Sequence, residues 1–127
     1  MDNFKASADR AKERGDKKTA KRIMMERRIV FALVDKALKD GHSVSVFDCE
    51  EWTVKLSKNK KQIRNALFTT DMDNIRIRND AGESLGTFSL IYGECGYDVI
   101  SDYTVTDYSE ELYNSLGPMI DKMMAAA

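Results

Sequence analysis

The side chains from which nucleophilic catalysis could be built are few: one histidine, His42, and two cysteines, Cys49 and Cys95. A Ser-His-Asp or Cys-His arrangement needs an imidazole as base, and no motif ties His42 to either thiol. His42 directly follows Gly41 and reads as a residue at the start of a strand. Three Cys and His side chains, with no Cys-x-x-Cys pair, also fall short of the four ligands of a structural zinc site. Both cysteines lie in expected turns and read as buried or inert rather than reactive. The carboxylates offer more. Asp98 and Asp102 are four residues apart on an expected strand, which puts them on one face with Ile100 between them. Such a pair could hold a divalent cation or act as acid and base. Arg76 and Arg78, on an expected neighbouring strand, favour a plain cross-strand ion pair instead. Asp71-Met72-Asp73-Asn74 fails the calcium-loop pattern, and neither Gly-x-x-x-x-Gly-Lys-Ser/Thr nor Gly-x-Gly-x-x-Gly occurs. The expectation is no catalytic residue, no metal and no cofactor.

Binding chemistry is better represented. Between Lys5 and Arg28 there are ten Lys or Arg against four acids, and Lys17, Lys18, Lys21, Arg22 and Arg28 would share one side of a helix. With Lys58, Lys60, Lys61 and Arg64 they could neutralise several phosphates without reading sequence. The pI of 5.9 weighs against a dedicated nucleic-acid domain. Trp52, Tyr92, Tyr97 and Arg64 are the residue types that anchor protein interfaces. The net charge of −1 conceals a division. Residues 1–64 carry 17 basic and 10 acidic side chains and residues 65–127 carry 3 and 11, giving +7 and −8. Halves on opposite faces would attract anions and cations respectively and would allow the chain to stack head to tail on itself or to form a homodimer; interleaved halves would neutralise each other. Met119, Met123 and Met124 read as packing residues more readily than as a Met-rich partner groove.

The elements that must position these groups follow from periodicity. Residues 1–24, with one large apolar side chain (Phe4) beyond Met1 before Ile23 and a helix-interrupting Gly15, read as a basic arm, mobile or weakly helical. A single domain would then occupy 25–127. A helix is predicted from Thr19 to Asp40, closed by Gly41. Ser43–Phe47 and Trp52–Leu56 form an expected hairpin, with Val44, Val46, Trp52, Val54 and Leu56 on one apolar face. A short helix follows over Lys58–Phe68, capped by Ser57 or Asn59. A second hairpin pairs 74–78 with 87–92, and a fifth strand runs over 97–104. A last helix starts with an Asp107–Glu110 capping box and continues, kinked, through Pro118. The order αββαβββα describes an α+β domain with helices on an antiparallel sheet. The longest apolar run, Ile29 to Val34, cannot span a bilayer, and the charged N-terminus does not read as a signal peptide. Two cysteines provide no disulfide framework, so a reducing cytoplasm is expected.

Val44-Ser45-Val46-Phe47-Asp48-Cys49-Glu50-Glu51-Trp52, together with the run from Tyr92-Gly93-Glu94-Cys95-Gly96-Tyr97 through Asp98-Val99-Ile100-Ser101-Asp102-Tyr103-Thr104, resembles a family of small proteins encoded by tailed phages and other bacterial mobile elements. The resemblance extends from about Met25 to the C-terminus. Gly is common in the family where this chain has Cys49, and Glu94 and Cys95 replace its turn residues. The resemblance therefore implies no metal or redox role for the cysteines; it implies origin and domain limits rather than an activity. The resulting expectation is a non-catalytic accessory protein of the bacterial cytoplasm that binds a host or phage macromolecule, most readily a protein. The alternative is a nucleic-acid-binding module built on the basic arm and the Lys58–Arg64 helix. A third reading is an enzyme or small-ligand binder that uses Asp98 and Asp102.

Overall fold

A computed structural model describes residues 1–126. Its elements are α1 (Asn3–Glu13), α2 (Lys17–Lys39), β1 (Ser43–Phe47), β2 (Trp52–Ser57), α3 (Lys60–Ala66), β3 (Met72–Arg78), β4 (Ser84–Ile91), β5 (Ile100–Tyr103), α4 (Asp107–Ser115) and α5 (Gly117–Ala126). The five strands form one antiparallel sheet in the order β2-β1-β3-β4-β5. Alternation decides its faces. Val44, Val46, Val54, Ile75, Ile77, Phe88 and Leu90 are buried in one core with Ile29, Val30, Leu33 and Val34 of the long central α2. Ile63 of α3, Leu112 of α4 and Ile120 and Met123 of α5 complete that core. The α+β class and the order of elements are as the periodicity predicts, with one helix more at the start and the last helix divided.

The N-terminal segment is the main correction. Residues 3–13 are a packed helix, and the domain boundary expected at residue 24 falls inside α2. Phe4, Ala8 and Ala11, spaced four and three apart, are fully buried. Two alanines and one phenylalanine are enough because small side chains let α1 lie close against α2. Gly15 terminates α1 rather than interrupting it. At φ +80°, it lets its own amide reach Lys12 O at 3.0 Å and the Asp16 amide reach Ala11 O at 2.8 Å, the bonding of a Schellman cap. Asp16 then caps α2, accepting from the Thr19 amide at 3.1 Å.

Three other expectations change. Between Val46↔Val54 and Val44↔Ser57 the pairing of β2 gains one residue, and between Phe47↔Trp52 and Val46↔Val54 another. These bulges turn Trp52 to the side of Phe47 and leave Leu56 59% exposed at φ 48°, so neither joins the inner face. The cap of α4 is Thr106, which exchanges bonds with Ser109 at 3.0 and 2.8 Å, in place of the expected Asp107 and Glu110. The C-terminal helix breaks at Leu116, ahead of Pro118, which has no amide hydrogen to donate. The apolar stripe Leu112, Leu116, Ile120, Met123 still stays buried across the break.

Because Phe4 is wholly buried, Phe4→Ala is expected to destabilise the fold by about 3–5 kcal/mol. Urea unfolding followed by circular dichroism measures it; an unchanged midpoint would mean that α1 is an independent arm.

Candidate functional site

A groove of ≈ 620 Å³ runs between α2, α3 and α5. Along α2 it is lined by Lys21, Met24, Met25, Arg27, Arg28, Phe31, Ala32 and Asp35. The flank beside the buried stripe supplies these positions because residues three and four apart share a helix face. Arg64 of α3 and Met119 and Met123 of α5 close the other sides. Phe31 is its centre. The guanidinium of Arg27 lies 4.7 Å and that of Arg64 4.3 Å from the centroid of the Phe31 ring, so one ring carries two cations. Each guanidinium is also pinned by a carboxylate. Arg27 donates to both oxygens of Asp2 at 3.1–3.2 Å, and Arg64 Nη2 to both oxygens of Asp35 at 2.9 and 3.2 Å. Burial pushes the Asp2 carboxyl up, but Arg27 and the Lys5 amide outweigh it and hold the group below its ordinary value. Lys60 adds a longer contact to Asp35, at 3.5 Å. Arg64 Nε is buried without a partner. The exposed Lys21 and Arg28 enter no ion pair among the described residues. The result is a methionine floor bordered by four cations, two of them fixed in orientation.

A second cluster locks the 93–97 turn onto α2. Glu26 is fully buried and accepts from Arg22 Nη1 at 2.8 Å and from the Gly93 amide at 2.9 Å. Burial nonetheless raises its pKa. A side chain at Gly96 would come within 3.2 Å of Arg22 O and of Met25 Cβ, so the turn lies directly on the helix. Deeper in, Tyr92 donates to Asp73 Oδ2 at 2.6 Å, and the Phe68 amide donates to the same oxygen at 2.9 Å. Asp73 Oδ1 is buried with no partner, and burial raises this carboxyl to about 6.

Of the cations singled out by the sequence, the structure brings Lys21, Arg28 and Arg64 together in the groove. Lys18, Lys21, Arg22 and Tyr97 line an adjoining cleft of ≈ 520 Å³. Lys17 and Lys61 are exposed, and Lys58 pairs with Asp80 at 2.7 Å. Tyr92 is withdrawn from any surface, at 7% exposure, because its hydroxyl satisfies Asp73. Trp52 lies on the other side of the sheet, under Arg76. Asp98 and Asp102 are not a pair on one strand: β5 begins at Ile100, and Asp98 accepts the Cys95 and Gly96 amides in the turn before it. Nor do the arginines bridge to them, since Arg76 stacks on Trp52 and Arg78 donates to Gly82 O. Cys49 and Cys95 are exposed free thiols, not buried ones. Among the described residues no group of three or more His, Cys, Asp or Glu side chains is placed to hold a metal ion, and no helix is long and apolar enough to cross a membrane. Met119 and Met123 both pack and line the groove. Arg27, Phe31 and Asp35 escaped sequence reasoning, although their spacing of four along α2 is the signal that aligns them. No protein-family model, curated protein or solved structure matches the chain.

The buried Asp73 generates a pH prediction. Its folded pKa of about 6 exceeds the ordinary 3.8, so its contribution is fully present below about pH 4 and is lost as pH rises through 6. The loss is on the order of 3 kcal/mol. Glu26, also raised, acts in the same direction. Asp16 and Asp48 have the opposite sign. The Thr19 hydroxyl and amide, and the Glu51 and Glu50 amides, hold their carboxyls low, and their stabilisation is lost as pH falls through the acid range. The urea midpoint is therefore expected to be higher near pH 4.5 than near pH 7.5, and Asp73→Asn is expected to shrink that difference.

Proposed function

We propose that this protein is a non-catalytic binding protein that seats an acidic, amphipathic helix of a partner protein in the groove between α2, α3 and α5. The observation that carries the reading is the pair of guanidiniums fixed on the Phe31 ring above a methionine floor. An amphipathic helix presents apolar side chains at three- and four-residue spacing with polar groups beside them, and a groove with an apolar floor and a charged rim complements it. Met24, Met25, Met119 and Met123 supply flexible, polarisable surface that adapts to differing apolar side chains. Arg27 and Arg64 are already oriented by Asp2 and Asp35, so less rotamer entropy is lost when a carboxylate arrives. The exposed Lys21 and Arg28 offer further charges to acidic rim positions. The groups lining the groove are cations, thioethers, the Phe31 ring and the Ala32 methyl, with one carboxylate, Asp35, that is already paired. They favour occupancy over turnover. From the sequence resemblance, the reading adopts a host or phage protein as the partner.

The double variant Lys21→Glu/Arg28→Glu tests this, because both side chains are exposed and outside every ion pair, so the fold should survive. The wild type is expected to capture a discrete protein from bacterial lysate in the presence of nuclease, and the variant to lose at least tenfold in affinity for it with an unchanged circular-dichroism spectrum. Equal capture by the variant would remove the groove from the function.

A further inference from the structure

The face of the sheet turned away from α2 carries a second chemistry. On β3, Ile75 and Ile77 point into the core, so Asn74, Arg76 and Arg78 alternate onto the opposite face. The bulges of β2 bring Trp52 and Leu56 to the same side, beside Phe47 and Lys55. There the Arg76 guanidinium lies 4.5 Å from the centroid of the Trp52 ring, and the Phe47 and Trp52 rings are 5.1 Å apart. Between Trp52, Leu56, Arg76 and Arg78 opens a depression of ≈ 320 Å³. Its cations have no carboxylate partner, although Arg78 donates to Gly82 O and Arg76 lies on the Trp52 ring. Among the described residues Lys55, Arg76 and Arg78 enter no ion pair, in contrast to Arg27 and Arg64 across the molecule. Within the strands the one acidic side chain of this face, Asp102, sits opposite Ser89 on the far edge strand; Asp48, Glu50 and Glu51 stand beyond Phe47 in the turn that joins β1 to β2, and none of them lines the depression in the β2-β1-β3 half.

We infer that this half of the open sheet binds single-stranded nucleic acid. Aromatic rings beside unpaired cations on an exposed surface are what a single strand requires, since every base offers a face to stack and every nucleotide a phosphate to neutralise. Arg76 and Arg78 are two residues apart on one strand, about 6.6 Å by strand geometry, which suits successive phosphates of an extended chain. Each guanidinium presents a fork of donors matched to phosphate oxygens. A duplex fits poorly, because its bases are stacked inward and a flat sheet offers no helix or ribbon to enter the major groove. Charge decides between macromolecules: three cations outside every ion pair, in a depression that no carboxylate lines, suit a polyanion more than a mixed protein surface.

Trp52 is the chain's only tryptophan, so its fluorescence reports on this face alone. The full chain is titrated with a short oligothymidylate, a short oligouridylate, a duplex of equal length and polyglutamate. Either single strand is expected to change Trp52 emission, and the duplex and polyglutamate are not. Arg76→Ala/Arg78→Ala is expected to weaken single-strand binding at least tenfold and to lower its salt slope by about 1.4, roughly 0.7 for each phosphate no longer neutralised, with an unchanged circular-dichroism spectrum. Lys21→Glu/Arg28→Glu should retain the Trp52 response, which separates this face from the α2 groove. No emission change with either single strand, an equal or larger change with polyglutamate, or undiminished binding by the Arg76/Arg78 variant would each overturn the inference.

Discussion

The perpendicular packing of the Phe4 and Phe31 rings, their centroids 5.6 Å apart, is the contact on which the rest of the molecule depends. Phe31 projects from the middle of α2, Phe4 from the first turn of α1, and Arg64 of α3 stacks on Phe31 from another side. Three helices therefore meet at one ring. Phe4 continues the contact inward: it stacks on Phe68 at 4.6 Å and meets Tyr92 edge-on at 5.6 Å, and Tyr92 bonds Asp73 of β3. A path of packed aromatics thus runs from the groove rim to the sheet. Each such pair contributes about 0.5–1.5 kcal/mol beyond its buried area, so the cluster is a substantial part of a marginal total. Without Phe4 in place, Asp2 would not reach Arg27, and the cation over Phe31 would lose its anchor.

Electrostatics then shapes the two faces differently. Of the seven ion pairs among the described residues, only Lys58–Asp80 joins the basic first half of the chain to the acidic second half. Apart from that one pair, the halves do not neutralise each other through direct contacts. The first half instead uses its own carboxylates, Asp2 and Asp35, to orient arginines at the groove. On the open sheet Arg76 is held by a ring and Arg78 by a carbonyl, so their charge stays available. The two buried carboxylates, Glu26 and Asp73, serve position rather than attraction. One ties the 93–97 turn to α2 and the other fixes Tyr92 and the Phe68 amide, at the cost of a desolvated Oδ1.

Much of this is legible in the chain. The long apolar period of α2, the two hairpins and the Asn59 cap all stand where spacing puts them, because each is a local pattern with a local physical cause. What escapes depends on packing between residues distant in sequence. Nothing near Phe4 announces that Ala8 and Ala11 will meet α2, since alanine carries almost no hydropathy signal while permitting the closest approach. Leu56 looks like an inward strand residue until the β2 bulges shift the register, and a one-residue shift exchanges faces. Asp98 and Asp102 would share a face only on a strand that spans both, and the chain turns at Asp98 instead. The groove itself combines α2, α3 and α5, and only the Arg27–Phe31–Asp35 line within it is readable from spacing.

An acidic amphipathic helix seated in the groove would be reported directly by the methionines that line it. Four of the seven, Met24, Met25, Met119 and Met123, line the groove, whereas Met72 lies on β3. Methyl resonances of methionine-labelled protein, recorded while a soluble acidic amphipathic helical peptide is added, are predicted to shift for those four and to stay fixed for Met72. Unshifted groove methyls, or a response confined to Met72, would mean that no such helix binds there.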